Sequence, residues 1–122
     1  MGEPWNTGLM KHLGMRLLEV SPERVVAELT IKDELTTLGG ALHGGTLMAL
    51  ADTAGAAGTV ASGAKTATLE SKTNFFAAAR AGVVRAEATP LHRGRRTHVW
   101  QTRITDEAGK LLSLTIQTQV IL

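Results

Sequence analysis

The sequence predicts an α+β fold in which a curved antiparallel β-sheet wraps one long helix. Three observations carry that expectation. Residues 42–64, LHGGTLMALADTAGAAGTVASGA, form a run of small and aliphatic residues without proline, rich in good helix formers. Stretches on both sides of it alternate apolar and polar residues at the two-residue period of strands. The segments joining those stretches are mostly short turn motifs, so neighbours in sequence pair as hairpins. A chain of 122 residues supports one core, and residues 1–122 are expected to be a single domain.

The elements follow in order. Residues 5–13 place Trp5, Leu9, Met10 and Leu13 on one face of a short helix. Residues 15–20 and 25–31 read as two strands joined by Ser21-Pro22-Glu23-Arg24, where proline presets a tight turn. Residues 32–41 are a loop that ends in Gly39 and Gly40 and runs into the long helix. Residues 66–76 form a strand and 77–82 a connector carrying Arg80. Residues 83–91 form a strand whose Pro90 belongs at an edge or a bulge. After a turn around Gly94, residues 97–105 alternate, with Val99, Gln101 and Arg103 set against His98, Trp100, Thr102 and Ile104. Residues 106–109 turn the chain, and residues 111–122 close it as a last strand.

Composition removes several function classes. The formal charge is +2, there is no long basic run, and two Phe with two Trp are too few for a stacking platform, so no nucleic-acid partner is expected. No cysteine is present, which excludes disulfides, thiolate catalysis and thiolate metal sites. His12, His43, His92 and His98 are scattered without ligand spacing, so no metal centre is expected. The run 42–64 is a poor membrane span, because Asp52 sits near its middle among Gly, Ala, Thr and Ser. The first residues lack a basic-then-apolar leader pattern, which sets a cytoplasmic location as the expectation.

Chemistry concentrates on the long helix. A carboxylate in an apolar helix is costly unless it is paired or used, and Asp52 is the lone acid of the run. The plain alternative is a core helix whose Asp52 hydrogen-bonds to threonine or backbone. Backbone N–H groups bared at the helix start by Gly44-Gly45 suit an oxygen that becomes negative in a transition state. A carboxylate can attack a carbonyl or act on water as general base. Together they suit acyl transfer, but eight residues of helix hold Gly44 and Asp52 roughly 12 Å apart. Two antiparallel helices related by a two-fold axis bring the start of one to the middle of the other. A homodimer with shared sites is therefore expected, with sheet edges pairing between protomers.

These residues carry a resemblance. LHGGTLMALADTAGAAG resembles the signature of hotdog-fold acyl-CoA thioesterases of the PaaI and 4-hydroxybenzoyl-CoA thioesterase group, and PLHRGRRTHVWQTRITDEAGKLLSLTIQTQVIL is similar to the C-terminal half of that group. The resemblance implies a hotdog fold whose homodimers pair into homotetramers, an acyl-CoA substrate, and no cofactor beyond the coenzyme A that the substrate carries. It implies that the Gly44 N–H polarises the thioester carbonyl, that Asp52 of the partner protomer is nucleophile or general base, and that His43 helps orient the site. His43 acting only as a cap for loop groups is the plain alternative. It also implies that Arg80, Arg95, Arg96 and Thr97 touch coenzyme A phosphates, in line with the bidentate fit of Arg to phosphate. Phe75, Phe76, Met48 and Trp5 are candidates to line an acyl pocket, with Asn74 as a polar member; the plain alternative is that these apolar side chains are core. Two positions depart from the group: Thr37 stands where many relatives carry Asn or Gln, and Ala56 where others carry Ser or Thr. The expected function is thus hydrolysis of a small acyl- or aryl-CoA, with a non-catalytic acyl-CoA sensor as the alternative. The His-plus-acid motifs of hotdog dehydratases are absent.

Overall fold

The apolar run folds as helix α2, Gly44–Ala61, in a computed structural model that describes residues 3–122. Around it lie a 3₁₀ turn at Glu3–Trp5, helix α1 (Gly8–Leu13), strands β1 (Arg16–Val20) and β2 (Val25–Thr30), a second 3₁₀ turn at Asp33–Leu35, and strands β3 (Thr66–Phe75), β4 (Val83–Arg93), β5 (Thr97–Thr105) and β6 (Leu111–Ile121). The strands form one six-stranded sheet in the order β1-β2-β4-β5-β6-β3, and every neighbouring pair is antiparallel. All six strands pack against α2, which is the wrapped arrangement that the sequence predicts. No helix among the described residues is long and apolar enough to cross a membrane.

Differences from the expected boundaries have local causes. The first helix starts at Gly8 rather than Trp5, because Thr7 is extended at φ −152° and a 3₁₀ turn precedes it. Gly14 ends α1 in the left-handed region at φ 76°, where its N–H reaches the Lys11 and Met10 carbonyls. Helix α2 stops at Ala61 because Ser62 turns back, its hydroxyl donating to the Thr59 carbonyl at 2.6 Å. Strand β4 runs on to Arg93 through a bulge between Pro90 and His92, beyond the last pair with β2 at Val25↔Ala88. There Pro90 breaks no ladder bond to β2.

The sheet buries its inner face against the small residues of α2. Leu47, Leu50 and Ala51 pack with Leu29, Val84, Ala86, Ile104 and Leu112, while Ala54 and Ala57 pack with Val25, Ala88 and Trp100. On β5, His98, Trp100, Thr102 and Ile104, one of the two sets that the alternation separates, are buried. Gly58 allows the close approach: a Cβ there would overlap the ring of the fully buried Trp100. The Trp100 indole N–H donates to the Thr59 hydroxyl oxygen at 2.9 Å, and that hydroxyl meets His98 Nδ1 at 3.0 Å. Burial holds the His98 imidazole below the ordinary histidine range, with the charges of Arg93 and His92 adding to the effect. Because the indole has no room to retreat, Gly58→Ala is expected to destabilise the fold by about 1–3 kcal/mol. A lowered urea midpoint at unchanged slope is the check; an unshifted midpoint would mean that Trp100 can give way.

One stripe of α2 stays uncovered. Met48 and Val60 are exposed and Asp52 and Ala56 half-buried, at intervals of four residues. The stripe is apolar except for Asp52.

Candidate active site

The start of α2 is built by its cap. His43 is extended, at φ −63° and ψ 137°, and its Nδ1 accepts the Gly45 N–H at 2.7 Å. The approach to the helix is pinned by His43 N–H to the Leu35 carbonyl (2.9 Å) and Leu42 N–H to the Ala79 carbonyl (2.8 Å). No acceptor among the described residues takes the Gly44 N–H. That amide faces the positive end of an 18-residue helix with its donor unused. Beside it lies a cavity of about 390 Å³ lined by Ala41, Leu42, Gly44, Leu47, Phe75 and Phe76, with Ala77 and Ala78. The Phe75 ring packs over Gly44, where a Cβ would stand 3.1 Å from it.

Asp52 is half-buried on the open stripe, and its Oδ1 accepts from the Thr68 hydroxyl at 2.5 Å and from Gln117 Nε2 at 3.2 Å. Gln117 Nε2 also reaches the Asp52 carbonyl at 3.2 Å. The threonine bond is of the type that the plain alternative for Asp52 names, but which threonine makes it, and that Gln117 joins it, depends on where β3 and β6 lie. The one available signal is the polar inward set of β6, where Ser113, Thr115, Gln117 and Gln119 are all buried.

The other expected site residues divide into two groups. Near the helix start, Thr37 is exposed in the loop, its backbone closing a tight turn with Ala41 (2.8 Å) and Gly40 (3.0 Å). Arg80 reaches across the same loop, its Nε donating to the Gly39 carbonyl at 3.4 Å. Arg95, Arg96 and Thr97 stand at the opposite end of α2. Thr97 opens β5 next to His98, which touches Thr59, fifteen residues and roughly 22 Å of helix beyond Gly44. The structure therefore does not gather Arg80 with Arg95–Thr97 inside one protomer. It yields one half-site of Thr37, His43, Gly44 and Arg80 with the cavity, and another of Asp52 on the stripe with the β4–β5 turn further along.

Three candidates fall elsewhere. Asn74 is exposed opposite Leu114 on β3, on the face away from Thr73 and Phe75, and so does not line the cavity of its own protomer. Met48 is on the open stripe. Trp5 packs, half-buried, against the cluster around Trp100. Among the described residues no group of three or more His, Cys, Asp or Glu could hold a metal ion.

One long helix wrapped by a curved six-stranded antiparallel sheet is the arrangement of the hotdog fold. Comparison with known proteins agrees. Residues 39–113 match the thioesterase superfamily. A 1,4-dihydroxy-2-naphthoyl-CoA hydrolase from Listeria monocytogenes is 34% identical over 110 residues, covering 88% of this chain and 89% of its own. A thioesterase from Haemophilus influenzae superposes with a TM-score of 0.92 at 29% identity, covering 99% of this chain and 87% of that one. A Staphylococcus aureus thioesterase superposes with a TM-score of 0.90 at 29% identity, covering 94% and 98%. That protein has been solved with alanine replacing a glutamine and, separately, a glutamate fifteen residues further on. The chain belongs to the thioesterase superfamily and is a thioester hydrolase.

Proposed function

We propose that the protein hydrolyses a coenzyme A thioester of a small acyl or aryl group, in a site shared by two protomers. The observation that carries this reading is the separation of the two half-sites along one helix. The unused Gly44 N–H and the Asp52 carboxylate lie roughly 12 Å apart along α2, too far to serve one carbonyl within a protomer. An antiparallel apposition of two α2 stripes in a homodimer sets Gly44 of one copy against Asp52 of the other. Such an arrangement also covers Met48, Ala56 and Val60, and brings a β4–β5 turn toward the partner's Arg80.

In that site the Gly44 amide polarises the thioester carbonyl, and His43 fixes the amide's direction by capping Gly45. Asp52 is nucleophile or general base. The C–S bond breaks, water supplies the hydroxyl of the released acid, and the coenzyme A sulfur leaves with a proton. Arg80, with Arg95, Arg96 and Thr97 of the other copy, meets the phosphates, and Thr37 contributes a hydroxyl near the carbonyl. Thr37 and Asp52 are fifteen residues apart, the same interval as the two positions changed in the Staphylococcus aureus thioesterase. An aryl group suits a cavity walled by Phe75 and Phe76, and the naphthoyl substrate named for the Listeria relative points the same way.

Mixed dimers test the shared site. Asp52→Asn and Gly44→Pro chains, each inactive alone, are unfolded and refolded together and assayed for coenzyme A release from a panel of thioesters. Each hybrid dimer regains one complete site, so about a quarter of wild-type activity is expected on statistical mixing. No recovery at confirmed hybrid formation sinks the shared site. Tight thioester binding by the wild type without release would favour the sensor.

A further inference from the structure

Resting on the reading of Asp52 as the reacting carboxylate, we propose that Thr68 and Gln117 are positioning residues that hold Oδ1 of Asp52 and leave Oδ2 to act. Both donors converge on the same oxygen, Thr68 Oγ1 at 2.5 Å and Gln117 Nε2 at 3.2 Å. No donor among the described residues reaches Oδ2. A carboxylate held by one oxygen cannot rotate freely, so the other oxygen keeps one direction.

The supports are themselves fixed from behind. Thr68 Oγ1 accepts from Gln119 Nε2 at 2.7 Å, and Gln119 Oε1 accepts from Thr66 Oγ1 at 2.8 Å. Each hydroxyl has one proton. Since that of Thr68 is given to Asp52, the Gln119 amide must present nitrogen to Thr68 and oxygen to Thr66. The polarity of Gln119–Thr68–Asp52 is therefore set, with both donors pointing toward the carboxylate, and aligned bonds of this kind reinforce one another; the single Thr66 proton is shared between Gln119 Oε1 and the Val120 carbonyl, each at 2.8 Å. Gln117 is 1% exposed, and its amide lies directly under Gly55, where a Cβ would come within 2.5 Å of Oε1. Only a residue without a Cβ at 55 lets that amide reach the main chain and side chain of Asp52.

Sheet geometry provides the register. Strand β3 pairs Thr68 with Gln119 and Glu70 with Thr118, so Leu69 is an extra residue in a bulge. The bulge places Thr66 and Thr68 on the same inner face as Thr73 and Phe75. One strand thereby aims a hydroxyl at Asp52 and lays a ring over Gly44.

The test compares Thr68→Val, Thr68→Ser and Asp52→Asn in the full chain, with benzoyl-CoA as the probe. Thr68 is exposed, so valine preserves shape without leaving a buried void. Thr68→Val is expected to lose about 10- to 100-fold in kcat, the effect of removing one hydrogen bond to a charged group, with KM within about twofold. Thr68→Ser keeps the hydroxyl and is expected within about threefold of wild type in kcat. If serine is as slow as valine, packing rather than the hydroxyl is at work and the positioning role is overturned. It is equally overturned if Thr68→Val matches wild type while Asp52→Asn is inactive. An active Asp52→Asn instead removes the reading of Asp52 itself.

Discussion

Asp52→Asn is expected to lower kcat by about 10²–10⁴-fold, the range that a positioned base or nucleophile contributes. The substitution is close to isosteric, and the Asn amide oxygen can accept the same bonds from Thr68 and Gln117 that Oδ1 accepts now. What disappears is the negative charge and the free lone pairs of the second oxygen. Dimer mass and the affinity for coenzyme A are therefore expected to stay near wild type, since neither depends on the charge of this side chain. Continuous coenzyme A release, followed with a thiol reagent, measures the loss directly. Turnover close to wild type would mean that the carboxylate is a structural partner of Thr68 and Gln117 and nothing more. Single turnover in ¹⁸O-labelled water then separates the two chemistries, because only direct attack places label in the Asp52 carboxylate.

Gly44→Pro is the second large effect, expected to cost about 10²–10³-fold in kcat by deleting one preorganised donor to the developing oxyanion. Proline at the first position of a helix is well tolerated, as its missing N–H would have no partner inside the helix. The preceding residue is ready for it: His43 sits at ψ 137°, within the extended range that proline imposes on its neighbour. Gly44→Ala is the control. Alanine keeps the N–H but meets the half-exposed Phe75 ring with its Cβ, as proline does. A loss of at most about tenfold in the alanine variant, against the full loss in proline, assigns the effect to the amide. Equal losses would assign it to displacement of Phe75 instead, and the oxyanion role of Gly44 would fall.

Much of this architecture is legible because it is local. The alternation over residues 97–105 divides β5 into the two faces that the structure shows, since that division depends only on parity. The capping role left open for His43 is seen in the bond from Gly45. Other residues are placed by distance, which a local pattern does not report. Trp5 is open by type to a pocket or a packing role, and its position packs it half-buried against the Trp100 cluster. Asn74 follows Thr73 by one place, and that one place turns it to the other face. Arg80 and Arg95 are fifteen residues apart in sequence yet lie at opposite ends of α2, because β4 carries the chain the length of the helix between them.

By itself the sequence determined the long helix, its lone acid, the glycine amides bared at its start and the strand periodicity around it, since each follows from side chains within a turn or two. The tertiary structure alone decided what holds Asp52, because Thr68 and Gln117 reach it across sixteen and sixty-five residues through the register of β3 on β6. A single bulged residue at Leu69 sets that register. No local preference encodes it: it arises where two strands must both satisfy their ladder and pack against one helix.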